Sequence, residues 1–121
     1  MTGCNSQNLE SYSPNKISPA NVREEFYKKS IEVLNFYIRK VETKSSYTEA
    51  DNDYLLGYYR SMPSQSAEEV RIKSSLTYLD LDYKILNDKL KAKQVKDLQQ
   101  EITEFNKHKS VVLNQLELES K

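Results

Sequence analysis

The chain holds a single histidine, His108, four residues after Glu104. On a helix that spacing puts both side chains on one face, where a carboxylate can orient an imidazole for metal binding or proton transfer. The rest of a metal site is missing from the pattern. A helical di-iron centre needs repeated Glu-x-x-His and several further inward carboxylates, and the sequence has neither. His108 beside Glu104 therefore reads as a surface pair. Asp51 with Asp53, and Asp80 with Asp82, look like acid pairs. At i, i+2 on a helix, however, the partners point to nearly opposite sides. There is no EF-hand spacing, no glycine-rich phosphate loop and no nucleophile elbow around any serine. Cys4 has no plausible base near it in the sequence, so nothing marks it as an activated nucleophile. As the lone cysteine it offers neither an internal disulfide nor a cysteine-built zinc cage. The expectation is a non-enzyme without cofactor or metal.

The unusual count is nine tyrosines with no tryptophan. Tyr54, Tyr58 and Tyr59 fall close together. Tyrosine joins apolar area to a polar tip, which suits an interface and a core edge equally. These three, with Phe105, Val112 and Leu116 further along, form the candidate interaction surface. A Tyr-rich groove for a small ligand is a competing use of the same cluster.

Helices must position all of these groups. From Ser66 to Glu119 the chain runs for more than fifty residues without Gly or Pro, and its apolar residues recur at helical spacing. Ser66-Ala67-Glu68-Glu69 is a capping box that announces a helix. Ile72, Leu76, Leu79, Tyr83, Leu86 and Leu90 then step by four and three, while Tyr78, Leu81 and Ile85 lie on a different face. A strand reading competes over Leu79–Ile85, where apolar and polar residues alternate, but the helical pattern explains a longer window. After Leu90 the next apolar position is Val95, a slip that rotates the stripe by roughly 140°. Either the chain turns at about Lys91–Gln94 and a fourth helix folds back, or one helix continues. Strong helix formers and the absence of a breaker favour continuity. An unbroken rod of roughly 55 residues would be about 80 Å long. It would expose Phe105, Val112 and Leu116 to a partner or a second copy.

Ahead of this, Tyr27, Ile31, Leu34, Ile38 and Val41 form a heptad seam. Val22, Phe26, Val33 and Phe36 make a second strip, so this first helix touches more than one neighbour. It starts near Asn21, whose spacing to Glu24 is a capping box, with Ser18-Pro19 as a competing start. It ends around Thr43 to Ser46. A short second helix, capped by Ser46 with Glu49 or by Thr48 with Asp51, runs to about Met62, before Pro63. Gly57 in its middle costs about 1 kcal/mol relative to Ala. It marks either the close approach of another helix or a kink that opens a groove.

At the N-terminus, Thr2-Gly3-Cys4 resembles the end of a bacterial lipobox, in which small residues precede a cysteine that becomes lipidated. Met1 stands where that pattern usually has Leu, and the charged and apolar signal segment is not in the sequence. The resemblance covers this tripeptide and the polar composition after it. It implies a lipid on Cys4 and a tether through residues 1–19, which reads as a disordered spacer with a reach of about 50 Å.

Bulk properties agree with this organisation. An apolar fraction of 37%, charged residues at 30% and a mean hydropathy of −0.79 suit amphipathic helices with narrow buried stripes. Lys plus Arg and Asp plus Glu are 18 each, for a net charge of zero, so long-range steering toward nucleic acid is unsupported. The densest basic run, Lys84, Lys89, Lys91, Lys93 and Lys96, has no arginine or aromatic interleaved and reads as a solvated face. No stretch approaches the ~20 apolar residues of a membrane span.

The expectation is an all-α protein: a polar tail over 1–19, then an antiparallel bundle of three to four helices over 20–121 with a long C-terminal helical segment. Functionally it is expected to be a non-catalytic protein-binding module, lipid-anchored at a bacterial envelope through Cys4 in an inhibitor, exclusion, immunity or assembly role. A cytoplasmic helical adaptor with Cys4 incidental is the alternative, and a small-ligand binder is the second. The partner is another protein, or a second copy through the C-terminal helix.

Overall fold

The computed structural model describes residues 10–93, 96 and 98–118. Among them are α1 (Glu24–Glu42), α2 (Glu49–Tyr59), α3 (Ala67–Lys91) and α4 (Leu98–Gln115), and no strand. Leu79–Ile85 is helical, so the four–three stepping outweighs the local alternation.

Cross-helix bonds define the topology. Arg23–Glu69, Tyr37–Asp80 and Ser45–Tyr83 advance together along α1 and α3, so these helices run parallel. Ser30–Tyr58 and Lys40–Asp51 run in opposite senses along α1 and α2. Asp82–His108 and Lys89–Glu101 do the same along α3 and α4. The result is an up-down-up-down bundle in which α3 packs most extensively against α4 and next against α1.

Both apolar strips of α1 are buried, from Tyr27, Ile31, Leu34, Ile38 and Val41 on one side to Phe26, Val33 and Phe36 on the other. Its start differs from the expectation. Asn21 has φ 65° and lies outside the helix, and its side chain donates to Glu68 instead of capping. The N-cap is Arg23, with no side-chain cap bond. The reason is tertiary: Glu69 of α3 accepts the Arg23 N–H at 2.8 Å together with the Arg23 guanidinium. The helix stops through paired bonds from Lys44 N–H to Val41 O and from Ser45 N–H to Lys40 O. This is a Schellman turn in which Lys44, at φ 52°, holds the position usually given to glycine.

Of the alternative caps for α2, Thr48 with Asp51 forms a complete capping box. Gly57 is exposed, and a Cβ there would meet nothing within 4 Å, so the close approach expected of it does not occur. The α3 cap is half of the expected box. Ser66 Oγ accepts from Glu69 N–H at 3.1 Å, but the Glu69 carboxylate turns to Arg23 and to Gln65 N–H.

The slip after Leu90 is a turn. α3 ends at Lys91, Lys93 takes φ 59°, and α4 begins at Leu98. The continuous rod favoured by local propensity gives way to a fold-back. Antiparallel packing on α3 buries the α4 stripe, which a rod would leave in water.

Residues 10–19, expected as part of a disordered tail, are laid across α1 and α4 as a strap. Tyr12 is buried, and its N–H and C=O pair with the Asn35 amide at 2.8 Å each. The Asn15 side chain donates to Glu117 O at 2.8 Å, and Lys109 pairs with Glu10 at 2.5 Å. A buried ring with both backbone groups satisfied offsets the ordering entropy that the polar composition alone suggested could not be met. Residues 1–9, including Cys4, lie outside the described residues.

Candidate functional site

The six residues expected to form an interaction surface do not form one. Tyr58 is fully buried, with its ring 5.9 Å from Phe26 and its hydroxyl 2.7 Å from Ser30 Oγ. Tyr59 is half-buried and meets the Tyr37 hydroxyl, which in turn donates to Asp80 at 2.8 Å. Tyr54 is half-buried against Phe36, under the Lys29 ammonium. Burial raises the Tyr37, Tyr58 and Tyr59 hydroxyls well above the usual phenol range, so they act as neutral hydrogen-bonding groups. These rings fill space between α1, α2 and α3. Phe105, Val112 and Leu116 are core residues, because the fold-back turns their stripe inward.

Two ionic groups tie the frame. Glu69, with a fully buried side chain, accepts from the Arg23 N–H, Nε and guanidinium and from Gln65 N–H. Burial alone would raise its carboxyl, but these donors outweigh burial and hold it below the usual range. Lys73 donates to Tyr59 O at 3.3 Å and to Met62 O, covering carbonyls at the end of α2.

Exposed apolar side chains lie elsewhere, singly at Ile17, Leu56 and Val70 and together along the α3–α4 seam. Tyr78, Leu81 and Ile85 of α3 are 56%, 50% and 44% exposed, and Val111 of α4 is 46% exposed. The i, i+3, i+7 spacing makes the α3 residues one stripe. It borders the α3–α4 seam, where Val111 and Tyr78 line a common cavity.

At that seam, Nδ1 of His108 lies 2.5 Å from Oδ2 of Asp82. His108 therefore pairs with α3, while Glu104, its expected neighbour, pairs with Lys107 at 3.5 Å. The Tyr78 ring stacks on the imidazole at a centroid distance of 5.4 Å and an angle of 23°. Burial raises the Asp82 carboxyl, Glu104 and Glu101 add to the rise, and the hydrogen bond and charge of His108 oppose it without cancelling it. Asp80 points the other way, to Tyr37 and Lys84, as i, i+2 spacing requires. Ser75, Tyr78, His108 and Val111 enclose a cavity of about 140 Å³. Nδ1 of His108 and Oδ2 of Asp82 share a hydrogen bond across the seam. The arrangement can hold an imidazole in a fixed orientation against an apolar cleft.

Sequence spacing had set Tyr78, Leu81 and Ile85 apart from the core stripe, which was the available signal for this face. Nothing local linked His108 to Asp82, since the pairing spans 26 positions and depends on the turn. Among the described residues no group of three or more His, Cys, Asp or Glu could hold a metal ion, and no helix is long and apolar enough to cross a membrane. Comparison with known proteins returned no matching family model, no similar curated protein and no similar solved structure.

Proposed function

We propose that this chain is a non-catalytic, helical protein-binding module that meets its partner through the outer face of α3, and that a lipid on Cys4 holds it at a bacterial envelope. The observation that carries the reading is the uncovered stripe of Tyr78, Leu81 and Ile85 with Val111 beside it. Contiguous exposed apolar groups mark interaction surfaces. Here they stand on a helix whose other faces are locked into the core by Leu79, Tyr83 and Leu86. Rigid presentation lowers the ordering cost of binding. Within the basic run, Lys84 and Lys89 are neutralised by Asp80 and Glu101, which supports a protein partner over nucleic acid.

Thr2-Gly3-Cys4 supports the anchor, and in this reading the lipid is the membrane contact. The docked strap changes what the tether does. Cys4 and Glu10 are six positions apart, which allows about 20 Å of extended chain. The module is held near the bilayer, not swung out on a long leash. One acyl chain gives only marginal membrane binding, so stable anchoring takes more than one.

The test compares the intact protein with a Leu81→Lys, Ile85→Lys double variant. Sedimentation reports self-association, and affinity capture from the native host reports a heterologous partner. The variant should keep its helical circular dichroism and lose the complex. Equal capture by both proteins would contradict the assignment of this face. Intact mass of the native protein tests the anchor: an unmodified Cys4 thiol would remove the envelope half of the proposal.

A further inference from the structure

We propose that the open face of α3 is self-complementary and meets a second copy of this chain, helix against antiparallel helix, across a two-fold axis between Tyr78 and Leu81. This rests on the protein-binding reading of the α3 face and names its partner. The open face is longer than its apolar stripe. Arg71 and Ser74 precede Tyr78, Leu81 and Ile85 along it and Asp88 follows, all of them exposed. These positions step by three, four, three, four and three, the a/d repeat of a helix-pairing seam. They lie opposite the stripe that Ile72, Leu76, Leu79, Tyr83 and Leu86 bury in the core. A helix already packed on one side therefore carries a second seam on the other.

Charge and register choose the occupant. The seam begins with a cation, ends with an anion and is apolar between them. In a parallel pair each position meets its own copy, so Arg71 would face Arg71 and Asp88 would face Asp88. In an antiparallel pair a faces d. Tyr78 then meets the partner's Leu81, Ser74 meets the partner's Ile85, and Arg71 meets the partner's Asp88, each contact being made twice by symmetry. One register satisfies all three. Beside the seam, Lys84 is held by Asp80 at 2.9 Å and comes opposite the partner's Thr77, so no like charges meet there. The Asp82–His108 and Lys89–Glu101 pairs set α4 so that Val111 falls level with Leu79, next to the axis, where it widens the apolar centre. Within its own chain Arg71 reaches only an exposed carboxylate, Glu68 at 3.7 Å. The net charge of zero lets two copies approach without long-range repulsion. From Arg71 to Asp88 the seam is about 25 Å long, which suits a reversible dimer with a Kd of about 10–500 μM.

Sedimentation of the full chain from about 20 μM to about 1 mM tests the pairing. The wild type should show a monomer–dimer equilibrium. Arg71→Glu alone and Asp88→Arg alone each set like charges together at both ends of the seam, and each should weaken the dimer about ten-fold or more. Mixed in equal amounts, the two single variants should recover wild-type association, because their heterodimer has opposite charges at each end. Both positions are exposed, so circular dichroism should match the wild type throughout. A monomer across the whole range, a dimer indifferent to both single variants, or a mixture no stronger than its components would each overturn the pairing. The face is judged separately. A monomeric protein whose Leu81→Lys, Ile85→Lys variant loses capture of a different protein keeps the face and loses the second copy.

Discussion

Nδ1 of His108 sits 2.5 Å from Oδ2 of Asp82, and this contact joins α4 to α3 at the rim of the exposed apolar stripe. The carboxyl is raised by burial, so its ionised form is disfavoured in the folded state. Its contribution to stability therefore grows as pH falls through the raised folded value. Urea unfolding of wild type and Asp82→Asn at pH 4 and pH 7 should show the variant gaining on the wild type at pH 7. A constant difference would refute this sign.

Glu69, on the same helix, has the opposite sign. Its folded-state carboxyl lies below the unfolded value of 4.5, so its stabilisation is present above that value and is lost as pH falls through the folded one. Glu69→Gln should lower stability at pH 7 by about 2–4 kcal/mol, because the Arg23 guanidinium and two backbone N–H groups lose their ionised acceptor. Acid unfolding of the variant should be correspondingly flatter between pH 5 and pH 2.

Lys44 occupies a left-handed position that an L side chain adopts only at a cost, at φ 52°. Lys44→Gly should raise stability by about 0.5–1 kcal/mol, relief of strain exceeding the added entropy of the unfolded chain. Gly57 is the converse. It lies inside α2, exposed and with open space at its Cβ, so Gly57→Ala should stabilise by up to about 1 kcal/mol. Thermal denaturation of each variant checks both signs, and a destabilised G57A would show that α2 needs its glycine.

The fold-back separates two kinds of apolar residue. Phe105→Ala removes a ring that is 2% exposed and should destabilise by about 3–5 kcal/mol. Leu81→Lys, on the open face, should change stability by less than about 0.5 kcal/mol. Spin labels at Ser74 and Ser110 test the same geometry. A continuous rod would separate them by about 54 Å. The hairpin should hold them within roughly 20 Å, about two helix–helix spacings.

Much of this fold was legible in the residues. The α1 seam, the Thr48–Asp51 cap and the α3 stripe through Leu86 follow from spacing, because burial imposes a helical period. The turn after Lys91 was hidden because its left-handed residue is Lys93 and no proline follows. With the turn hidden, Phe105, Val112 and Leu116 looked exposed, and the status of Tyr78, Leu81 and Ile85 was open. The strap was hidden for a related reason. Its order comes from Tyr12 meeting Asn35 and from Asn15 meeting Glu117, pairings with no local pattern. The face and the His108 cleft are products of tertiary geometry, and only their α3 half left a trace in the spacing.

The central claim is that the open face of α3 is where this module meets another protein. A photo-crosslinking benzoylphenylalanine at Leu81, in the full chain expressed in its native host, tests it most directly, with exposed Glu32 of α1 as the control position. The account predicts a discrete protein adduct from position 81 and none from position 32. An adduct from position 32 with none from position 81 would place the partner on another surface and contradict it.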